Sequence, residues 1–288
     1  MTTPYPLGRN VNHDPRSLAY PFKADGITVT PIRWKRDAPT WDQGQLGSCT
    51  GNASCGLLVT DPFYATLPAG TVIDESTAVS VYSDATKIDG APGSYPPDDT
   101  GSDGLSVAKI LKSRGLISGY THVFSAQDAL KALSTQPLIT GTNWYNSMFS
   151  PDANGVISIA AGDQPAGGHE YILDEIKIEN GVTYIGMQNS WGSSWGIQGR
   201  AYMTLDTFTR LLSEQGDVTA FVPISKPAPV PVPPAPTPVP PAPTPVPPSD
   251  PNASMWTDIK DWACGTRYGK SRSVAARLRA WAKEQGLL

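Results

Sequence analysis

The chain of 288 residues is poor in cysteine and histidine, with three of each. Cys49, Cys55 and Cys264 form an odd set spread over a long sequence. That excludes a disulfide framework, and the spacing is not that of paired zinc ligands. No run of about 18 apolar residues occurs, which excludes a membrane-spanning helix. The first residues, Met1-Thr-Thr-Pro-Tyr-Pro-Leu-Gly-Arg9, lack the charged-then-apolar order of a secretory leader, so a soluble protein without a secretory address is expected. Basic charge is also scarce. Net charge is −4, with 14 Lys+Arg against 22 Asp+Glu over residues 1–225, so a nucleic-acid footprint over the whole protein is excluded. Only residues 252–288, with 7 against 3, are basic. No cofactor and no metal site is indicated.

Proline, by contrast, is abundant. Of 29 prolines, 13 fall within residues 227–248, where Pro234-Ala-Pro-Thr-Pro-Val-Pro240 is repeated at once as Pro241 to Pro247. With so few backbone donors this stretch should form an extended polyproline rod, reaching roughly 65–70 Å at ~3.1 Å per residue. Its position between two blocks favours a spacer over a ligand for proline-reading domains. The chain is therefore expected to divide into a catalytic-sized unit over 1–225, a linker over 226–251 and a small basic helical module over 252–288. An apolar fraction of 39% is enough for the first unit to bury a core without staples.

Within that unit the pattern changes near Pro137. Upstream, Cys49 to Val59, Glu75 to Lys87 and Ser106 to Arg114 show helical spacing. Downstream, the runs starting at Leu138, Val156, His169, Val182 and Arg200 have strand length and are rich in β-branched and aromatic residues, and Glu179-Asn-Gly between two of them is a hairpin signal. A helical half followed by an antiparallel half predicts an α+β domain of two lobes. In the tail, Met255 to Ala263 and Ser273 to Glu284 read as short amphipathic helices.

The sharpest chemical feature is Asp42-Gln-Gly-Gln-Leu-Gly-Ser-Cys49, with Cys49 opening a helix. A helix N-terminus favours a thiolate, and the glycines at 44 and 47 are expected to set the sulfur on an exposed corner. A nucleophile needs a base and the base an orienting acceptor. His169, after Gly167 and Gly168 at the start of a β segment, could present an imidazole to a cleft, and Asn189 in Gln188-Asn-Ser-Trp-Gly could hold it under Trp191. Cys55 and Gln45 are the rivals of Cys49 and Gln43. His13 and His122 read as surface or loop residues.

These blocks, in this order, resemble the papain family of cysteine peptidases: Gln43 with Gly47-Ser-Cys49, Gly168-His169, and Asn189-Ser-Trp-Gly-Ser-Ser-Trp-Gly. Residues 82–90 and 99–106 are similar to microbial members, and the likeness covers roughly residues 10–215. It implies a two-lobed papain-like fold, a helical lobe plus an antiparallel β-barrel-like lobe. It further implies Cys49 as nucleophile, His169 as general base and acid, Asn189 as its orienter, Gln43 as oxyanion donor with the Cys49 backbone N–H, and Trp191 as a shield. Thr50 stands where plant and animal members commonly have tryptophan, and Leu46 where they often place a disulfide cysteine. A microbial or bacteriophage branch is thus implied, cytoplasmic or virion-associated. Only 48 residues precede Cys49, too few for the family's long inhibitory pro-region. Residues 5–22 are expected to wrap the helical lobe or lie across the cleft. The implied activity is a thiol endopeptidase acting on a polypeptide substrate. The alternatives are a hydrolase of peptidoglycan stem peptides and a silent structural or adhesive scaffold. The tail's partner stays open between another protein, cell wall and nucleic acid.

Overall fold

The structure, a computed structural model, describes residues 3–224 and 271–286. The chain divides into two units, Met1–Pro227 and Ala228–Leu288. The expected proline rod and the expected helix over Met255 to Ala263 lie outside the described residues. In the second unit a helix spans Ser271–Glu284. Among the described residues no helix is long and apolar enough to cross a membrane.

The first unit is a mixed helix and antiparallel-sheet structure built on two hydrophobic clusters. Helices α1 (Cys49–Leu58), α2 (Glu75–Thr86) and α3 (Gly104–Ser113) gather Cys55, Leu57, Val81 and Leu111 into one cluster, which Ile139, Ile172 and Phe221 of the sheet close from below. The second cluster lies on the sheet's other side, around Trp144, Tyr171, Trp191 and Phe208. The helices start where the sequence supplies a cap. Asp74 accepts from the Thr77 amide and Asp103 from the Ser106 amide, both at 2.8 Å, satisfying donors that a helix start leaves open. Helix α1 differs, because its Ser48 makes no side-chain cap. Its start faces the site instead.

The sheet runs β2 (Gly119–His122), β7 (Asp217–Val222), β3 (Leu138–Tyr145), β4 (Pro165–Glu179), β5 (Val182–Gln188), β6 (Arg200–Thr204), with β1 (Ile32–Arg33) added on β4. The β4–β5 hairpin turns through Asn180 and Gly181, both at positive φ, as the Asn-Gly signal requires. β4 is the spine. Its first half pairs with β3, placing His169 opposite Thr142, and its second half pairs with β5, whose last residue Gln188 sits opposite Ile172. The chain leaving β5 therefore carries Asn189 back alongside His169.

Three expectations need correction. Val156 to Ala160 is not a strand. Only Val156 bridges to Tyr202, while Ser147 Oγ donates to Ser158 O at 2.9 Å and accepts from Ala160 N at 3.1 Å, so a side chain takes the place of a strand partner. The two halves are also less segregated than the patterns imply, since β1 and β2 precede Pro137 and α5 (Leu205–Ser213) follows it, with α4 (Ala126–Leu133) just before. Finally, His122 is a buried strand residue at 8% exposure, with Nδ1 3.4 Å from Thr219 Oγ1, whereas His13 is exposed as expected.

Candidate active site

Cys49 is the first residue of α1, so its thiol sits at the positive end of the helix dipole and within reach of the Thr50 amide. The loop before it is fixed from outside. Asp99 accepts from the Gly47 amide at 2.8 Å and from the Tyr82 hydroxyl at 2.5 Å, and that hydroxyl accepts from Gly101 N at 3.0 Å. Asp99 was visible in the sequence only as one of several acids near Gly101, with nothing local to mark its reach to Gly47.

Across from it, His169 Nε2 lies 2.8 Å from Asn189 Oδ1, which also accepts from Ser190 N at 2.8 Å. The ring is sandwiched by aromatics. Trp191 stacks on it at 4.3 Å and Trp144 meets it edge-on at 5.0 Å. Its Nδ1 is buried without a protein partner, and no hydrogen bond joins it to Cys49 among the described residues. Gln43 is tied to the same corner: its backbone N donates to Ser190 O at 2.9 Å, its Oε1 accepts from Ser190 Oγ at 2.7 Å, and its Nε2 donates to Leu46 O at 2.8 Å. Gln45 is exposed and takes no part in these contacts. Cys55 is fully buried in the helical cluster. Gln43, His169, Asn189 and Trp191, far apart in sequence, are thus joined through Ser190 and the Trp191 stack, and the Cys49 thiol lies against the backbone amide of Glu170, the residue after His169.

The expected exposed corner is absent. Cys49 and His169 are both 0% exposed. The reason is the N-terminal segment, which lies across the cleft. The amides of Gly8 and Arg9 donate to Gly168 O at 3.2 and 3.0 Å on one wall, while Asn10 N donates to Ser102 O at 2.7 Å and Ser102 N to Gly8 O at 2.8 Å on the other. Tyr5 continues the cover, stacked on Trp191 at 4.7 Å with planes 9° apart. The fit at Gly8 admits no side chain, since a Cβ there would stand 1.9 Å from Gly47 O. Beyond Asn10 the chain follows the edge of β2, with Phe22 N donating to His122 O at 2.8 Å.

This cover sets the protonation states. Burial pushes the Cys49 thiol up to about 12, against the opposing pull of the Glu170, Gly8 and Thr50 backbone amides. Burial likewise depresses His169 to about 4, with the Asn189 contact working the other way. Both groups are neutral near pH 7 in the covered state, so no thiolate–imidazolium pair stands ready. Restoring water would move the two values toward each other.

No protein-family model matches this sequence, and no curated protein does. Solved structures do. Xylellain, a cysteine protease from Xylella fastidiosa, superposes with a TM-score of 0.62 at 15% identity over 78% of this chain and 98% of its own. Proteins of insect and trypanosome origin are similar too: digestive procathepsin L 3 from Tenebrio molitor larval midgut (0.54, 15%, 75% of each chain) and procathepsin B S9 from Trypanosoma congolense (0.55, 13%, 76% and 87%). The chain has the papain-like fold. At these identities the likeness establishes architecture alone. In a papain-like fold, the two clusters described above are its two lobes, and the covered groove between them is the interlobe cleft.

Proposed function

We propose that the protein is a papain-like thiol endopeptidase held in a latent form by its own residues 5–10. One observation carries the reading: a cysteine at a helix start, a histidine oriented by an asparagine side chain and a glutamine amide beside them share one cleft. A binding scaffold has no need of all four. With the cover displaced, His169 takes the proton from Cys49, and the thiolate attacks the peptide carbonyl. The oxyanion is held by the Cys49 backbone N–H and by the Gln43 amide, which gives one hydrogen to Leu46 O and has its second for the oxyanion. Oxyanion donors of this kind are each worth ~10²–10³ in rate. His169 then protonates the leaving amine, and water, activated by the same ring, releases the acyl group from sulfur. Asn189 keeps the ring in the tautomer that presents the reactive nitrogen, and Trp191 keeps water from competing for that contact.

The test is incubation of the full chain, and of the full chain carrying Gly8→Ala to displace the cover, with a denatured protein substrate and, in parallel, with purified peptidoglycan, each read by mass spectrometry of released peptides. Cleavage of the protein substrate that disappears in Cys49→Ala supports the reading. Release from peptidoglycan alone would replace it by a stem-peptide hydrolase. Turnover of neither, despite a reactive Cys49, would revive the scaffold.

A further inference from the structure

Helix α1 carries a buried polar side chain that the reaction described above does not use. Asn52 stands one turn along from Cys49 and is 3% exposed. Its Nδ2 donates to Ser48 O and to Ser48 Oγ, both at 3.0 Å. A carbonyl can only accept, so this contact fixes which way round the amide stands and leaves Oδ1 on the other side, where it has no protein partner. Asn189 is its complement. Its Oδ1 accepts from the Ser190 amide and meets His169 Nε2, both at 2.8 Å, so its Nδ2 is directed elsewhere and likewise lacks a protein partner.

The two unpartnered atoms are one acceptor and one donor, and both side chains line the same small cavity of about 10 Å³. That is about the room of one water. The other walls are buried residues such as Tyr171 and Gln188, except for half-buried Arg36, whose Nη1 is held by donating to Gly56 O at 2.7 Å. A buried amide group without a partner costs free energy. A donor and an acceptor that line one cavity are satisfied together by a molecule that accepts from the first and donates to the second. The pair also joins two parts of the site. Asn52 comes from the helix that starts at Cys49, whereas Asn189 comes from the chain leaving β5.

From this we infer that one buried water joins Asn52 Oδ1 to Asn189 Nδ2, and that Asn52 is thereby a positioning residue for the His169 ring. The inference rests on the peptidase reading for the reaction it serves, but the bridge itself can be observed without turnover. With Oδ1 engaged by Ser190 N and Nδ2 by the water, the Asn189 amide is held at both ends. A turned amide would set Nδ2 against the Ser190 N–H, donor against donor. The held amide keeps the His169 proton on Nε2 and the lone pair on Nδ1.

Three measurements on the full chain test it. The first is nuclear magnetic resonance and needs no variant: the Asn189 Nδ2 hydrogens should show cross-relaxation to a long-lived water, and absence of that signal overturns the bridge. The second follows solvent exchange of the His169 Nε2–H, identified by its loss in His169→Gln. In Asn52→Leu, which keeps the volume and removes the acceptor, exchange should speed about tenfold, the scale of one lost hydrogen bond. In Ser54→Ala, which loses another bond inside α1, from Ser54 Oγ to Gly51 O at 3.1 Å, it should not change. Equal effects of the two would give Asn52 a role in helix stability alone and overturn the inference. In the third, with the cover displaced by Gly8→Ala, Asn52→Leu should lower kcat about tenfold with KM unchanged, and should lower it no further in the Asn189→Ala background. An unchanged kcat, or an equal loss in that background, overturns the positioning role and leaves the peptidase standing. Turnover absent from every variant, with the water signal and the ring response both present, has the opposite meaning: the bridge stands and the peptidase reading falls.

Discussion

Helix α1 carries two cysteines, Cys49 at its start and Cys55 within it, and by burial they are the same: both are 0% exposed and both pushed up to about 12. What covers them differs. Cys55 is enclosed by the helical core, with Leu57, Val81 and Leu111 in its cluster, so reaching it requires unfolding the lobe. Cys49 is enclosed by a segment that is bonded to the cleft walls through a few main-chain hydrogen bonds, one stacked ring and one buried ion pair. Equal burial can therefore conceal very different opening free energies. The thiol that is inert by construction and the thiol that is inert by cover can be told apart by how each responds to the same change.

The largest separation is in activity. Cys49→Ala should abolish turnover, a loss of about 10⁶ in kcat where a nucleophile of a catalytic set is removed. Cys55→Ala should keep turnover and lose on the order of 1 kcal/mol of stability through the small cavity it leaves. Steady-state rates and urea midpoints of the two variants check this. If both lose activity equally, or neither does, the two thiols do not differ in function.

How much of this was legible before the fold was known follows the same divide. Asn189-Ser-Trp-Gly and Gly47-Ser-Cys49 are contiguous, so their local chemistry could be read, and the pairing of His169 with Asn189 crosses only 20 residues of a hairpin. The cover could not be read in detail. Arg9 meets Asp217 across 208 residues, and no periodicity or turn signal links the two. Nor could Tyr5 be matched to Trp191, because stacking has no sequence pattern. The exposed corner expected for Cys49 failed for that reason: the local features of the loop are as read, but burial is decided by a segment from elsewhere. Helix α5 is a different miss. Leu205, Phe208 and Leu211 have helical spacing, but they follow a strand without a break, and the cap is the strand's own last residue, Thr204.

Acid should act on the covered end next. The His169 ring, ordinarily near 6.5, is held at about 4 by burial. As pH falls from 6.5 toward 4, the unfolded or uncovered ring takes a proton that the covered ring refuses. Stability of the covered state then falls with pH across that window, by up to about 3 kcal/mol. Glu170 works in the other direction, since burial raises its carboxyl and acidification relieves the cost of keeping it buried. The two are separated in Glu170→Gln, whose denaturation midpoint should drop from pH 6.5 to 4, and in Glu170→Gln/His169→Gln, where that slope should vanish. A slope that persists without His169 would mean that other groups govern the acid response.

Gly8→Ala attacks the cover alone. The added carbon would stand 1.9 Å from Gly47 O, so the segment must shift, and such overpacking typically costs about 2 kcal/mol, or some thirtyfold in the open population. Iodoacetamide labelling followed residue by residue in tryptic peptides should show Cys49 faster by that factor and Cys55 unchanged. Equal acceleration of both would place the effect in the whole lobe rather than in the cover.

The smallest expected effect is at Tyr5. Its ring lies on Trp191 at 4.7 Å, and Trp191 in turn lies on His169, so the cover ends in a stack that continues into the site. An aromatic pair contributes about 1 kcal/mol beyond its buried area, so Tyr5→Ala should speed Cys49 labelling about fivefold, with Tyr5→Phe close to the original because the stack needs the ring and no hydrogen bond of the hydroxyl to this site is involved. Cys55 should again be indifferent. If Tyr5→Ala leaves Cys49 labelling unchanged while Gly8→Ala raises it, the main-chain bonds to Gly168 and Ser102 and the Arg9–Asp217 pair hold the cover, and the ring serves only to shield the face of Trp191.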